Sequence, residues 1–387
     1  MTRYSVELGD RGLTLRNIQG VENRDRSVPL YANYLWLRDN CSTSWDIEIG
    51  DRQFDIVEQP LNLRARSAQV QQNELVIVWE HDGHQSRYDI EWLARWLTRP
   101  GHDDLAHVPV NLWKSDFRES MCRFEYSSIA GDPEARIAYL RALLTDGMAL
   151  VEGVADSDDG VKHVAEIAGH VRATFSGYFF DVKAYPKPVG TAYTARALEP
   201  HTDVPCEQYP PGIQYLHCRV NDVVGGQTTF VDGAAVAHDL KTLHPLDFKL
   251  LSTISVPFRF AHDAMDMRAR QTIIVLDDFG EVQGVTISQH MADIFDIDQH
   301  ALNDYYPAFC RFGAMLRDRK YQLEFRLEAG QCIVFDNQRI VHGRSAYDPN
   351  SGARLLRGCY SDRGELRSRY RVALRSLPNS REKVGNI

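Results

Sequence analysis

Glu199-Pro200-His201-Thr202-Asp203 and, far downstream, Asp336-Asn337-Gln338-Arg339-Ile340-Val341-His342-Gly343-Arg344 are the two stretches on which the reading of this chain turns. The first holds a His-x-Asp pair; the second holds a histidine just past the apolar run Cys332-Ile333-Val334-Phe335. Two imidazoles and one carboxylate can cap one face of an Fe(II) ion and leave the opposite face open. Open positions let a metal take a co-substrate and O₂, so an oxygenase is expected if His201, Asp203 and His342 meet in space. The pair alone says little. A second one, His102/Asp104, lies in a Pro/Gly-containing break and reads as a solvated loop. His201 differs because strand-like sequence follows it.

Working outward, Ile213-Gln214-Tyr215-Leu216-His217-Cys218, Thr228-Thr229-Phe230-Val231, residues 321–327 and Cys332-Ile333-Val334-Phe335 read as strands, with helical patterns at 234–243 and 302–316 between them. Upstream, Asp132 reads as an N-cap with Pro133 at the first helical position, and Ile137, Leu140, Leu143 and Leu144 make one apolar face that ends at Asp146-Gly147. Met148-Ala149-Leu150-Val151 then reads as a buried strand and residues 161–171 as a helix. The predicted fold of residues 116–387 is therefore mainly β with helices, a double-stranded β-helix (jelly-roll) whose mouth can hold a ligand. Residues 1–115 read as a small β-rich N-terminal domain. It contains Gly12-Leu13-Thr14-Leu15, a hairpin of Leu75-Val76-Ile77-Val78-Trp79 and Ser86-Arg87-Tyr88-Asp89 around Asp82-Gly83, and a short helix over residues 90–97.

Composition narrows the class. The chain has 387 residues, 43% hydrophobic and 25% charged, as in a globular protein with a sizeable core. A net charge of −9 and a pI near 5.9 argue against a nucleic-acid partner. No apolar run approaches a membrane helix, and Met1-Thr2-Arg3-Tyr4-Ser5-Val6-Glu7 carries no apolar signal core, so a cytoplasmic protein with no membrane partner is expected. The cysteines number 7, an odd count, and form no CxxC pair, which fits reduced thiols.

Arg354, in Gly352-Ala353-Arg354-Leu355-Leu356, offers a permanently charged planar fork to a carboxylate. On a late barrel strand it can clamp the distal carboxylate of 2-oxoglutarate while the keto-acid end chelates iron. Thr228, in Gly225-Gly226-Gln227-Thr228-Thr229-Phe230, can add a hydroxyl to the same carboxylate.

Taken in order, several motifs resemble the 2-oxoglutarate-dependent oxygenases, and within them the γ-butyrobetaine hydroxylase group. They are Trp36-Leu37-Arg38-Asp39-Asn40-Cys41, Ala192-Tyr193-Thr194, Pro211-Gly212-Ile213-Gln214, Phe230-Val231-Asp232-Gly233, His342-Gly343-Arg344 and Gly358-Cys359-Tyr360-Ser361-Asp362. The resemblance implies Fe(II) on His201, Asp203 and His342, with 2-oxoglutarate on Arg354. It also implies O₂ as co-substrate, hydroxylation of a small trimethylammonium zwitterion, and a homodimer. A trimethylammonium head donates no hydrogen bonds, so aromatic faces must hold it. Tyr193 and Tyr360 match the group's cage tyrosines, and Phe180, near Tyr178, falls where some members place another aromatic.

The chain departs from the group in two places. Many members carry an N-terminal zinc on three close cysteines and a distant histidine, whereas Cys41-Ser42-Thr43-Ser44-Trp45-Asp46 leaves Cys41 and His84 as ligands. Structural zinc takes four N or S ligands, so zinc is predicted absent and packing by Trp36, Trp45 and Trp79 must replace it. In the pocket, Ser176 and Val189-Gly190-Thr191 replace expected polar or aromatic residues, and Arg196 precedes the iron motif. A cation there would favour a phosphonate such as 2-(trimethylammonio)ethylphosphonate over γ-butyrobetaine. Two alternatives stay open: a non-catalytic quaternary-ammonium binding protein, and an oxygenase of a sulfonate or amino acid, which would need no cage.

Overall fold

The computed structural model describes residues 4–17, 29–98, 104–184, 194–262 and 264–377, and the chain divides into two units, Met1–His107 and Val108–Lys383. The boundary read near residue 115 falls inside the second unit, whose core includes Trp113 and Phe117.

The first unit holds two three-stranded antiparallel sheets, Tyr4–Leu8, Gly12–Asn17 and Leu30–Asn33, and Ala65–Gln71, Glu74–Trp79 and Gln85–Asp89. Asn33 caps helix Tyr34–Asp39 by accepting from Trp36 N, so the Trp36–Asp39 motif is helical. Leu13, Leu15, Leu37, Leu75, Ile77 and Trp79 fill the core, and Trp79 Nε1 donates to Ser86 Oγ at 2.8 Å. Trp36 stacks on Trp92 at 5.7 Å between centroids. Trp45 lies under Arg52, whose guanidinium carbon is 4.5 Å from the ring centroid. Cys41 and His84 do meet: Sγ and Nε2 lie 3.5 Å apart, and Thr43 Oγ1 is 3.2 Å from each.

In the second unit the apolar runs form two sheets. The larger orders Arg123–Glu125, Met148–Glu152, Cys332–Asp336, Ile213–Asn221, Arg354–Ser361 and Phe180–Val182; all neighbours but the first pair are antiparallel. The smaller orders Leu198–His201, Ile340–Arg344, Thr228–Asp232 and Gln322–Phe325. One core takes Leu150, Leu216, Ile333 and Leu356 from the larger sheet and Phe230, Leu323, Phe325 and Ile340 from the smaller. Neither sheet closes on itself among the described residues. Helices Gly233–Leu243, Pro245–Thr253 and Gln299–Leu316 pack over a second apolar cluster that includes Val231 and Val341.

Helix Pro133–Thr145 has its predicted cap, with Asp132 accepting from Glu134 N. Helix Gln299–Leu316 begins before the predicted 302, because the Asp298 carboxylate accepts from His300 N and Ala301 N. The hairpin of Ser255–His262 with Met265–Thr272 was not foreseen. Arg259, His262, Arg268 and Arg270 break up its alternation in the sequence.

Arg339 and Asp232 join the layers. Arg339 Nε and Nη2 donate to the two Asp232 oxygens at 3.1 and 2.7 Å, and its other N–H groups reach Thr145 O and Asn111 O. Asp232 also caps helix Gly233–Leu243. Removing one member of such a buried pair strands the other, so Arg339→Met is expected to lower unfolding free energy by about 3–5 kcal/mol, read by urea titration.

His217 is fully buried on strand Ile213–Asn221, and burial followed by the nearby Arg219 charge holds its imidazole down to about 4. The unfolded imidazole titrates near ~6.5. As pH falls below that, the unfolded chain takes up a proton that the folded chain refuses until about 4. Stability at this site is therefore complete above the unfolded pKa and declines by about 3 kcal/mol across the window. His217→Leu should flatten that part of the pH–stability profile, measured by urea unfolding at pH values spanning it.

Candidate active site

Strand pairing brings the two histidines together. Leu198–His201 lies antiparallel to Ile340–Arg344 with His201 opposite His342, and their rings sit 4.4 Å apart. The pairing is irregular between Leu198 and His201, and Gly343 makes that possible: a Cβ there would lie 2.4 Å from Leu198 O. Asp203 follows in the chain, with Oδ1 at 3.0 Å from His201 Nε2 and Oδ2 at 3.7 Å from His342 Nε2. Ligand atoms of His201, Asp203 and His342 all lie within 4.8 Å of one another, the one such group among the described residues.

The segment is held firmly. Thr202 N and Oγ1 donate to Ile287 O and Val285 O at 2.6 and 3.1 Å, and Asp203 N donates to Asn337 Oδ1 at 2.8 Å. Val204 adopts a φ of 57°, left-handed backbone that a β-branched residue resists. Such strain persists only where the surroundings impose it.

Burial alone would raise the Asp203 carboxyl, but His342, His201 and the Tyr360 hydroxyl outweigh it and hold it far below the usual carboxylate range. Burial pushes His342 down to about 3. An ionised carboxylate beside a neutral imidazole is the protonation state that metal ligation requires. His201 Nδ1 meets Glu199 O at 3.0 Å, which leaves Nε2 facing Asp203. The donor set fits Fe(II).

A cavity of about 580 Å³ opens over this group, lined by both sheets and by residues 259–261 and 290–293. Arg354, Thr228, Tyr360 and Phe180 line it. Arg354 is buried at the start of its strand, and its Nε and Nη1 find no acceptor among the described residues. Burial lowers its pKa. Arg344 and Arg354 flank Tyr347, each guanidinium carbon 5.2 Å from the ring centroid. Tyr360 stacks on Phe180 at 5.1 Å, in space left by Gly358, where a Cβ would meet the Phe180 ring at 2.4 Å. Tyr360 also donates to Asp203 Oδ2 at 2.7 Å. Tyr193 and residues 189–191 lie outside the described residues.

Residues 114–360 match the family described as taurine catabolism dioxygenase TauD, TfdA family. A γ-butyrobetaine dioxygenase of Pseudomonas sp. (strain AK-1) is 34% identical over 347 residues, covering 88% of this chain and 90% of the relative. The chain belongs to the TauD/TfdA dioxygenases. It falls in their γ-butyrobetaine dioxygenase-like group and is a 2-oxoglutarate-dependent dioxygenase using Fe(II) and O₂. Human γ-butyrobetaine dioxygenase is 28% identical (89% of this chain, 92% of the relative), and human mitochondrial trimethyllysine dioxygenase 26% (91% and 86%). A crystal structure of a taurine dioxygenase from Burkholderia xenovorans aligns with a TM-score of 0.46 at 16% identity, covering 59% of this chain and 82% of that one.

In this TauD/TfdA member two of the sequence-predicted pocket residues stand elsewhere. Tyr178 is 60% exposed and, like Arg196, is not among the residues lining the cavity. Arg344 Nη2 takes Thr194 O and Arg196 O as acceptors, drawing the Arg196 backbone inward while its side chain stays exposed. Conversely, Phe175, Phe260, Arg259, His290 and Gln214 line the cavity and were not singled out from sequence. Phe175 stacks on Phe260 at 4.6 Å, and His290 meets His201 edge-on at 4.8 Å. Burial followed by His201 holds the His290 imidazole down to about 4. Nothing in local spacing marks these residues, because they come from segments far apart in sequence, and only Arg259 and Phe260 share the hairpin. With Arg196 outside the cavity, Arg196→Ala should change kcat/KM for carboxylate and phosphonate substrates alike by no more than about twofold, as for an ordinary surface substitution.

Proposed function

We propose that this chain hydroxylates a small trimethylammonium zwitterion of the γ-butyrobetaine class, either γ-butyrobetaine or an analogue such as 2-(trimethylammonio)ethylphosphonate. In this reading His201, Asp203 and His342 hold the iron, and Arg354 with Thr228 takes the distal carboxylate of 2-oxoglutarate. Tyr360 and Phe180 face the ammonium head, and Tyr193 is assigned to it on its match to the group's cage tyrosines. The observation that carries it is one cavity holding the His-Asp-His group, a buried guanidinium with donors unmet among the described residues, and the stacked pairs Phe180–Tyr360 and Phe175–Phe260. The named activities of the relatives support the same class.

When bound, iron supplies dioxygen activation, driven by oxidative decarboxylation of 2-oxoglutarate to succinate. The chain supplies aim. Arg354 meets a carboxylate in a desolvated setting, where a charge-assisted fork fixes both position and orientation. Aromatic faces attract the cation and keep water away from it. We assign the acidic end of the substrate to Arg259, a cavity-lining cation whose Nε also lies 3.5 Å from Asp266 Oδ1, the role first considered for Arg196. A contact at each end presents one carbon to the metal. We take the two sheets of Val108–Lys383 to be the halves of a jelly roll, Met1–His107 to be a separate small domain, and the working unit to be a homodimer.

The test is succinate formation across trimethylammonium carboxylates and phosphonates, with taurine and free amino acids as comparators. Iron- and substrate-dependent succinate is expected with the trimethylammonium set. Arg354→Leu should raise KM for 2-oxoglutarate about 10- to 100-fold, the loss of a hydrogen bond to a charged group. Succinate with taurine alone would move the chain to the sulfonate oxygenases.

A further inference from the structure

Asp203 is gripped by two side chains that are not themselves metal ligands. Gln214 Nε2 and Tyr360 Oη both donate to Oδ2 of this carboxylate, at 2.8 and 2.7 Å. The two donors stand directly opposite each other on strands Ile213–Asn221 and Arg354–Ser361, so they form one cross-strand pair of the larger sheet. Asp203 itself follows the smaller sheet's edge strand. The contact therefore ties one sheet to the metal-binding group of the other.

Gln214 is 1% exposed and Tyr360 4%, so neither donor has water as an easy substitute. A carboxylate oxygen offers about two lone pairs. Two strong donors occupy those of Oδ2, while Oδ1 faces His201 Nε2 at 3.0 Å. Turning the amide nitrogen to Asp203 leaves Gln214 Oε1 buried without a partner among the described residues, a cost that the sheet interior does not explain.

We propose that Gln214 and Tyr360 act together as positioning residues that hold Asp203 to a one-oxygen contact with the metal. The idea rests on the reading of His201, Asp203 and His342 as the iron ligands. Hydrogen-bonded partners of a ligating carboxylate fix its orientation and tune its basicity, and losing one typically weakens metal binding about 10- to 100-fold.

The test uses the full-length chain. Fe(II) affinity is titrated anaerobically in wild type, Gln214→Met, Tyr360→Phe and His342→Ala, and the Co(II)-loaded forms are compared by visible absorption. Metal-free unfolding is followed alongside. Tyr360→Phe deletes a single oxygen and keeps the ring on Phe180, so it decides the matter if Gln214→Met fails to fold. The expected result is iron binding 10- to 100-fold weaker in each clamp variant, with a changed Co(II) spectrum as Asp203 turns toward two-oxygen contact. A purely structural role would leave the spectrum alone. Wild-type affinity and spectrum in Tyr360→Phe, with binding lost in His342→Ala, would overturn the clamp and spare the ligand assignment. Undiminished binding in His342→Ala would bring down the ligand assignment, and the clamp with it.

Discussion

One buried amide holds the parts of the site in place. Asn337 accepts from Asp203 N, donates to Asp203 O and Pro211 O at 3.1 and 3.0 Å, and sends its own backbone N–H to Gly212 O. It stands in the turn between Cys332–Asp336 of the larger sheet and Ile340–Arg344 of the smaller. Through this side chain the metal motif, the start of the central strand and the approach to His342 share one set of coordinates. Each of these buried polar groups would cost about 1–3 kcal/mol if left unmet. A fully satisfied network of this kind specifies one arrangement of the chain.

The chemistry follows from strand alternation applied to two sheets at once. Residues 354, 356, 358 and 360 share a face, as do Gln214 and Leu216, and Thr228, His342 and Arg344 come from the other sheet. A charged end at Arg344 and Arg354, a metal-binding middle and aromatic walls are thus set by which position along each strand carries which side chain. The same Gly358 that lets Phe180 approach lies between Leu356 and Tyr360 on that face.

Much of this was readable from the sequence, and for identifiable reasons. Asp132-Pro133 announced its helix because capping is a local event. His201, Asp203 and His342 were readable because metal chemistry restricts ligand types. The strand bearing Thr228 was readable from its apolar run, whereas the one bearing Arg354 has no such run. What stayed hidden depended on distant partners. Gln214 looks like any polar residue in a strand until its neighbour Tyr360 and its acceptor Asp203 are known. Phe260 and His290 enter the cavity from segments whose charged residues read as surface. Arg196 was misleading in the opposite sense, since its place just before the motif says nothing about the carbonyls that Arg344 draws inward.

The pairing of His201 with His342 carries a last consequence. Side chains alternate between the faces of a sheet, so sliding either strand by one residue would turn one imidazole to the opposite side. The metal centre therefore exists in one register and in neither of its neighbours. An ion that binds only there lowers the free energy of the correctly paired chain alone. In that sense the metal proofreads the strand pairing that creates its own site.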